Sequence, residues 1–334
     1  MLASMKARLL VPVLALVLVA AGCSKGEDES PDPDASKGSA SRIVEVSPVT
    51  GRTLKDGRPG NPVYVVKIEN TGAGAPQIGL DKADLVVEEL VEGGLTRLAA
   101  FYYSTLPSKV GHVRSMRGTD IGIAGPVGGQ IVASGGAGGV VGKVKGAGIK
   151  VHTEDGGAKG FRSDPAKVRP YNRLVDLKRL DRTAKPSRIP GPYLPWSTKG
   201  EKKAGPQGRK VTRATVSFSG GTRTGWRLKD GTWRRTNGHA SKEFRADNLL
   251  VLFAPVGDAG YTDPAGNPVP ETKFRGSGRA VILHKDRAVE ATWHKSTSKS
   301  EIVLRSRKGT KLTVAPGRTW IELVPKGQGG IDLG

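Results

Sequence analysis

The sequence contains a single cysteine, Cys23, and aromatic residues make up only 5% of its 334 residues. One cysteine excludes a disulfide within the chain, so the fold depends on its hydrophobic core. It also leaves no set of thiolates for a structural zinc site, and the five histidines show no paired spacing on a helix. We therefore predict no metal site and no cofactor.

Two familiar catalytic signatures are also missing. A phosphate-binding loop of the form G-x-x-x-x-G-K-[ST] would need serine or threonine after Gly142-Lys143, where Val144 stands. A nucleophile elbow around Ser134 would need glycine in place of Val132. The sequence offers no nucleophile, base and orienting group in an expected order, so catalysis is not the first expectation.

The N-terminus has the features of a bacterial lipoprotein signal peptide. Lys6 and Arg8 precede an apolar run at residues 9–21, and small residues then lead to Gly22 and Cys23. The run is shorter than the roughly 20 apolar residues of a membrane helix. We predict a signal peptide at residues 1–22 and a lipid anchor on Cys23, which would hold the protein at the extracytoplasmic face of the cell membrane. An ordinary cleaved signal and an uncleaved N-terminal anchor are the alternatives.

Positive charge is concentrated in the second part of the chain. The formal net charge is +22, and residues 1–139 hold 14 basic and 14 acidic residues, against 39 and 17 in residues 140–334. Such an excess attracts anionic lipid, polymer or envelope protein, and the attraction weakens as salt rises. A role in solubility alone is the alternative. Nucleic acid is not an expected partner, because no chromosome lies outside the cytoplasm.

The composition divides the chain into segments. Residues 23–60 are polar and predict a disordered tether, whereas residues 183–212 are rich in Pro, Gly and Lys and predict a linker. The fold class we predict is α+β. Residues 61–182 would form an N-terminal mixed α/β sheet domain, and residues 213–330 a smaller, mostly antiparallel β domain.

Several strands are predicted from local patterns. The β-branched runs at residues 63–68 and 84–90 indicate buried strands, and Gly93-Gly94 separates the second from an antiparallel strand at 95–104. In the second half, Asp230-Gly231 is a strong two-residue hairpin signal.

Charged residues cluster beside these strands. Glu89 and Glu92 close one strand, Arg97 opens the next, and Arg114 and Arg117 follow. Convergent guanidinium groups bind oxyanions with parallel hydrogen bonds, so this arginine pair is a candidate anion site. The alternative is that Glu89 or Glu92 pairs with Arg97 across the hairpin and the other charges are solvated.

The segments EELVEGGLTRLAAFYYSTLPSKVGHVRSMRGTDI and FRSDPAKVRPYNRL resemble the YerB-like family of bacterial lipoproteins, a domain of unknown function (3048). WRLKDGTWRRTNGH, ATWHKS and PGRTWIELVP resemble its C-terminal domain. The resemblance implies an envelope lipoprotein without supplying an activity. The candidate ligand-binding residues that it indicates are Glu89, Glu92, Thr96, Arg97, Arg114, Ser115, Arg117, Asn172, Arg235 and His239, with the glycines Gly93, Gly94 and Gly238. His112 and Tyr171 depart from the family pattern, which usually has proline and histidine there.

Two functions are therefore expected from the sequence. The first is a non-catalytic lipoprotein that binds an anionic envelope component or a partner protein. The alternative is a phosphotransferase or hydrolase acting on a phosphate-bearing envelope polymer or lipid intermediate, with Arg114 and Arg117 holding phosphate. The absence of a nucleophile favours binding.

Overall fold

The structure is a computed structural model that describes residues 45–183, 190–198 and 208–334. These residues contain many short strands and three short α-helices. The strands are β1 (Tyr64–Glu69), β2 (Leu85–Leu90), β3 (Thr96–Tyr102), β4 (Val110–Gly111), β5 (Gln130–Val132), β6 (Val151–His152), β7 (Phe161–Ser163), β8 (Arg173–Val175), β9 (Arg209–Lys210), β10 (Arg213–Ser217), β11 (Arg223–Lys229), β12 (Thr232–Arg235), β13 (Asn248–Ala254), β14 (Val256–Thr262), β15 (Pro268–Thr272), β16 (Gly276–His284), β17 (Arg287–Lys295), β18 (Val303–Ser306), β19 (Lys311–Leu312), β20 (Thr319–Pro325) and β21 (Gly330–Leu333). The helices are α1 (Asp120–Ala124), α2 (Val140–Gly146) and α3 (Leu177–Asp181).

A 12-stranded central sheet is built from both halves of the sequence. Its strand order is β19-β18-β17-β16-β13-β20-β2-β3-β1-β5-β6, and β9 pairs with β17. At its centre β2 pairs in parallel with β20, and β20 pairs in parallel with β13. These three strands are buried at every residue, as expected for strands covered on both faces. The residues that the structure describes form one compact unit.

This arrangement corrects the predicted fold class. The protein is mostly β, and the N-terminal part is not clearly mixed α/β, because its helices are only five to seven residues long. The C-terminal strands do not form a smaller separate β domain, since β13 and β20 belong to the same sheet as β2. The prediction missed this because the long-range pairing of β2 with β20 leaves no local signal in the sequence.

The central sheet is covered on both faces. One hydrophobic cluster includes Val87, Phe101 and Ile321, and another, on the opposite face, includes Val86 and Trp320. A four-stranded sheet in the order β12-β11-β10-β21, here called the small sheet, packs on the second face. The β14–β15 hairpin and a three-stranded sheet of β4, β8 and β7 complete the described fold.

Parts of the predicted tether and linker contribute to the core. Val49 is fully buried although it lies in the predicted tether, and Tyr193 of the predicted linker is buried with its ring edge against Phe101. Where the structure describes them, both segments therefore contribute to the folded core and are not purely disordered connections. The predicted signal peptide and Cys23 lie outside the described residues.

The local strand predictions agree with the structure. β2 and β3 pair antiparallel as expected. Lys229 pairs with Thr232 across the two-residue turn, where Asp230 and Gly231 have φ of 50° and 72°. These positive angles are those of a type I′ turn, so the hairpin prediction is confirmed.

Candidate functional site

Glu88 and Glu89 are adjacent on β2, so their side chains point to opposite faces of the central sheet. Both are fully buried. Glu89 contacts Lys67 on one face, whereas Glu88 accepts a hydrogen bond from Thr224 of the small sheet on the other. One strand therefore carries an acid into each of two polar sites.

We call the first site the charged cluster. It consists of Lys67, Glu69, Glu89, Glu92, Arg97, Arg114, Arg117 and Asp120. We call the second site the polar cleft. It is lined by Asn70, Glu88, Thr96, Gly221, Thr222, Arg223, Thr224, Arg235, Asn237 and His239.

Lys67 is the centre of the charged cluster. Its Nζ atom contacts Glu89 Oε1 and lies 2.8 Å from Asp120 Oδ1, and all three side chains are fully buried. Asp120 Oδ2 accepts the backbone N–H of Arg117 at 2.7 Å, which fixes the turn that begins α1. The position of α1 is therefore coupled to a lysine in the middle of β1.

The pKa of Glu89 is raised above its usual value. Burial is the main cause, the charge of Lys67 acts in the opposite direction, and the nearby charge of Asp120 adds to the rise. Glu89 Oε2 has no hydrogen-bond partner among the described residues. Lys67 is thus the contact on which the charged form of Glu89 depends.

Glu92 holds two arginines of the charged cluster. Its Oε2 accepts from Arg117 Nε at 2.9 Å, its Oε1 accepts from Arg117 Nη2, and Arg97 Nη2 lies 3.4 Å from Oε1. Burial acts to raise the pKa of Glu92, but the hydrogen bond from Arg117 and the charge of Arg97 hold it below its usual value. Glu92 does pair with Arg97, as in the alternative drawn from the sequence, but Arg117 also pairs with Glu92 and is buried, not solvated.

Arg114 has its own partners. It donates to Glu69, and its guanidinium lies 4.8 Å from the centre of the Tyr171 ring. Arg114 and Arg117 both lie in the charged cluster, but each guanidinium already has a carboxylate partner. Their side chains are only 15% and 5% exposed. Anion binding by this pair stays a prediction, and the geometry favours a structural role.

In the polar cleft, Glu88 forms the floor. Its Oε1 accepts hydrogen bonds from Thr96 Oγ1 at 2.8 Å, Asn70 Nδ2 at 2.9 Å and Thr224 Oγ1 at 3.0 Å. These three donors fix the position of the Glu88 side chain. The same donors leave this oxygen with little capacity for a further contact.

Glu322 lies beside Glu88, since the two occupy paired positions on β20 and β2. Glu322 Oε1 accepts from Trp226 Nε1 at 2.6 Å. Burial and then the negative charge of Glu88 raise the pKa of Glu322 well above its usual value. Burial beside the negative charge of Glu88 therefore favours the protonated form of Glu322 more than in an exposed glutamate.

Arg235 forms one wall of the polar cleft. Its Nη2 donates to Gln77 Oε1 at 2.8 Å, its Nη1 donates to Asn70 Oδ1 at 3.0 Å, and its Nε donates to Glu243 Oε2 at 3.0 Å. Asn70 in turn donates to Glu88. Arg235 is therefore an organiser of the cleft, with each guanidinium nitrogen already bonded.

The predicted site residues divide between the two sites. Glu89, Glu92, Arg97, Arg114 and Arg117 lie in the charged cluster, and Thr96, Arg235 and His239 line the polar cleft. Ser115 takes part through its carbonyl oxygen, which accepts from Arg97 Nη1 at 3.4 Å. Asn172 Oδ1 is buried without a hydrogen-bond partner among the described residues. Nothing in the structure assigns Asn172 a ligand.

Sequence reasoning missed Lys67 and Glu322. The available signal was a charged residue inside an otherwise apolar strand, in VYVVKI and TWIELV. Lysine and glutamate are almost never fully buried without a partner, so each should have been treated as half of a buried pair. The partners themselves come from distant segments. Among the described residues, no group of three or more His, Cys, Asp or Glu side chains is arranged to hold a metal ion.

Two family models match the chain. "Protein of unknown function (DUF3048) N-terminal domain" matches residues 49–189, and "Protein of unknown function (DUF3048) C-terminal domain" matches residues 214–321. Together they cover most of the sequence, so the chain belongs to this family of unknown function. The resemblance inferred from the sequence motifs is thereby confirmed.

YerB of Bacillus subtilis is similar to this chain both in sequence and in a solved structure. "Putative lipoprotein YerB" of Bacillus subtilis (strain 168) is 44% identical over 72 residues, which are 21% of this chain and 22% of the relative. The chain thus matches about a fifth of the length of that curated relative. The crystal structure of the YerB protein from Bacillus subtilis has a TM-score of 0.72 at 20% identity, and covers 86% of this chain and 99% of its own. At this identity the likeness shows the fold alone.

Proposed function

We propose that the protein is a lipoprotein anchored through Cys23 to the extracytoplasmic face of the cell membrane, where its folded part binds an anionic envelope component. The signal-like N-terminus and the name of the Bacillus relative support the anchor. In the part of the chain that the structure describes, no helix is long and apolar enough to span a bilayer.

The binding function rests on one observation, a row of arginines across the small sheet. Arg213 pairs with Arg227, and Arg227 pairs with Arg234, on three adjacent strands. Paired positions place side chains on the same face of a sheet, here the outer one, since Ala214 and Trp226 are buried on the other. We call Arg213, Arg227 and Arg234 the arginine row.

The arginine row has little compensating negative charge. Arg234 pairs with Asp230, whose side chain is 71% exposed, and among the described residues Arg213 and Arg227 have no salt bridge. Like charges directly opposite each other destabilise a sheet. An anionic ligand on this face would remove that repulsion, which supports the arginine row as the contact with lipid, wall polymer or an acidic envelope protein.

An enzyme acting on a phosphate-bearing polymer or lipid intermediate is the alternative from the sequence. That function would need Arg114 and Arg117 free to hold a phosphate. Glu69 and Glu92 occupy these guanidiniums instead, so binding has the stronger support.

Vesicle binding tests the proposal. Purified residues 24–334 would be sedimented with vesicles of phosphatidylcholine alone or mixed with phosphatidylglycerol, across a range of sodium chloride concentrations. We expect binding only to the anionic vesicles, with loss at high salt. The variant Arg213→Gln/Arg227→Gln should lose most of this binding.

A charge-matched control separates the arginine row from net charge. Lys308→Gln/Lys311→Gln removes two exposed charges near β18 and β19, and it should retain binding. Equal loss in both double variants would refute a specific role for the arginine row. The anchor is tested separately, since Cys23→Ser should accumulate as an unprocessed precursor that takes up no labelled fatty acid.

A further inference from the structure

The mouth of the polar cleft carries three unused hydrogen-bonding side chains. Thr222 and Arg223 lie at the start of β11, and His239 lies in the segment after β12. Among the described residues, the Thr222 hydroxyl, the Arg223 guanidinium and the His239 ring have no hydrogen bond or ion pair. The hydroxyl and the guanidinium are donors, and one ring nitrogen of a neutral histidine is also a donor.

The rest of the cleft cannot take up a ligand in the same way. Asn70 is fully engaged, since its Nδ2 donates to Glu88 and Thr96 and its Oδ1 accepts from Gln77 and Arg235. Asn237 is also engaged, because its Oδ1 accepts from the backbone of Gly225 and its Nδ2 donates to the carbonyl of Arg223. The residues of the floor and walls thus hold the mouth in place. The side chains at the mouth that are free to form new hydrogen bonds are mainly donors.

The size of the cleft limits the ligand. It encloses about 130 Å³, whereas sites that enclose a drug-sized molecule measure about 300–1,000 Å³. Its lining is almost entirely polar, so an acyl chain or an apolar side chain would not be bound. A single polar group at the tip of a larger molecule fits.

We propose that Thr222, Arg223 and His239 bind a phosphate group at the mouth of the polar cleft. Arginine donates two parallel hydrogen bonds to such an oxyanion, and a hydroxyl and an imidazole can add contacts from other directions. The carboxylate of Glu88 is buried at the floor, and Thr96, Asn70 and Thr224 donate to its Oε1, whereas its Oε2 has no partner among the described residues. The ligand is therefore placed at the exposed mouth, away from this floor. The arginine row contains none of these residues, so this proposal does not rest on it.

Calorimetric titration tests the proposal with soluble probes. Residues 24–334 would be titrated with inorganic phosphate, glycerol phosphate and acetate at constant ionic strength. We expect saturable binding of a phosphate probe, weaker binding of acetate, and at least a tenfold loss of phosphate affinity in Arg223→Gln. Thr222→Ala and His239→Ala should each weaken binding. Arg275→Gln, which removes another exposed arginine outside the cleft, should leave phosphate affinity unchanged.

A vesicle arm distinguishes the source of the phosphate. If Arg223→Gln lowers the affinity for glycerol phosphate, a soluble phosphate group is sufficient for binding at this site. If it lowers binding only to phosphatidylglycerol vesicles, the phosphate is that of a lipid headgroup. If Arg223→Gln binds both probes like the wild type, or if Arg275→Gln loses as much, the proposal is overturned. The arginine-row variant Arg213→Gln/Arg227→Gln should keep its affinity for soluble phosphate, so the two proposals can fail separately.

Discussion

Replacing Lys67 by methionine should destabilise the protein strongly. The change keeps the length and much of the volume of the side chain, but it leaves Glu89 and Asp120 buried without their shared cation. Removing one partner of a buried ion pair typically costs about 3–5 kcal/mol, because the remaining charge is uncompensated. At about 2–4 °C per kcal/mol for a domain of 150–250 residues, we expect the melting temperature to fall by roughly 6–20 °C.

Urea denaturation followed by circular dichroism gives the free energy of unfolding of Lys67→Met. The matched control is Lys143→Met. Lys143 also pairs with a carboxylate, Glu271, but its side chain is 48% exposed, and an exposed pair contributes only about 0–1 kcal/mol. Similar losses in the two variants would refute the reasoning. In the double variant Lys67→Met/Glu89→Leu, the loss should be smaller than the sum of the two single losses, since the double change removes both groups of one pair.

Three further changes test other parts of the structure. Glu322→Gln keeps the shape of the side chain and removes its raised pKa. In the wild type this group should contribute a loss of about 1.4 kcal/mol of stability per pH unit as pH rises from 4.5 toward the raised folded pKa, and urea titrations of the variant should lack this contribution. Burial lowers the pKa of Lys295 from 10.5 to about 7. This group should therefore make the wild type more stable as pH rises from about 7 to 10.5. In Lys295→Met, the free energy of unfolding measured in urea should lack this contribution. Gly231→Val places a β-branched residue at a φ of 72° and should cost at least about 1–2 kcal/mol. Thr232→Ser in the adjacent strand keeps the hydroxyl that donates to the Lys229 carbonyl, and should change the melting temperature little.

Local features of the fold could be predicted from the sequence because their causes are local. The apolar runs of β1 and β2 and the Asp230-Gly231 turn act through a few neighbouring residues. The β14–β15 hairpin was not predicted. Its segment is rich in Gly, Pro and polar residues. It therefore lacks the alternation of apolar and polar residues by which a strand is predicted from sequence.

The candidate sites were predicted only in part, and the reason is again distance along the chain. The sequence placed Glu89, Glu92 and Arg97 together because β2 and β3 are joined by a short turn. It could not place Lys67 beside Asp120, since that contact spans 53 positions, nor Thr224 beside Glu88, which spans 136. Buried charges give a usable warning, but their partners are found only in the folded structure.

The pairing of β2 with β20 also determines how the two family domains depend on each other. The two family matches are separated by residues 190–213, yet the strands they contain share one sheet. Without β20, the central strand β2 would become an edge with unpaired backbone groups, and Glu88 would lose the neighbouring Glu322. Thr224 of β11, also in the second half, donates to Glu88. Each half thus completes a buried face of the other, so the polar cleft exists only when both halves fold together.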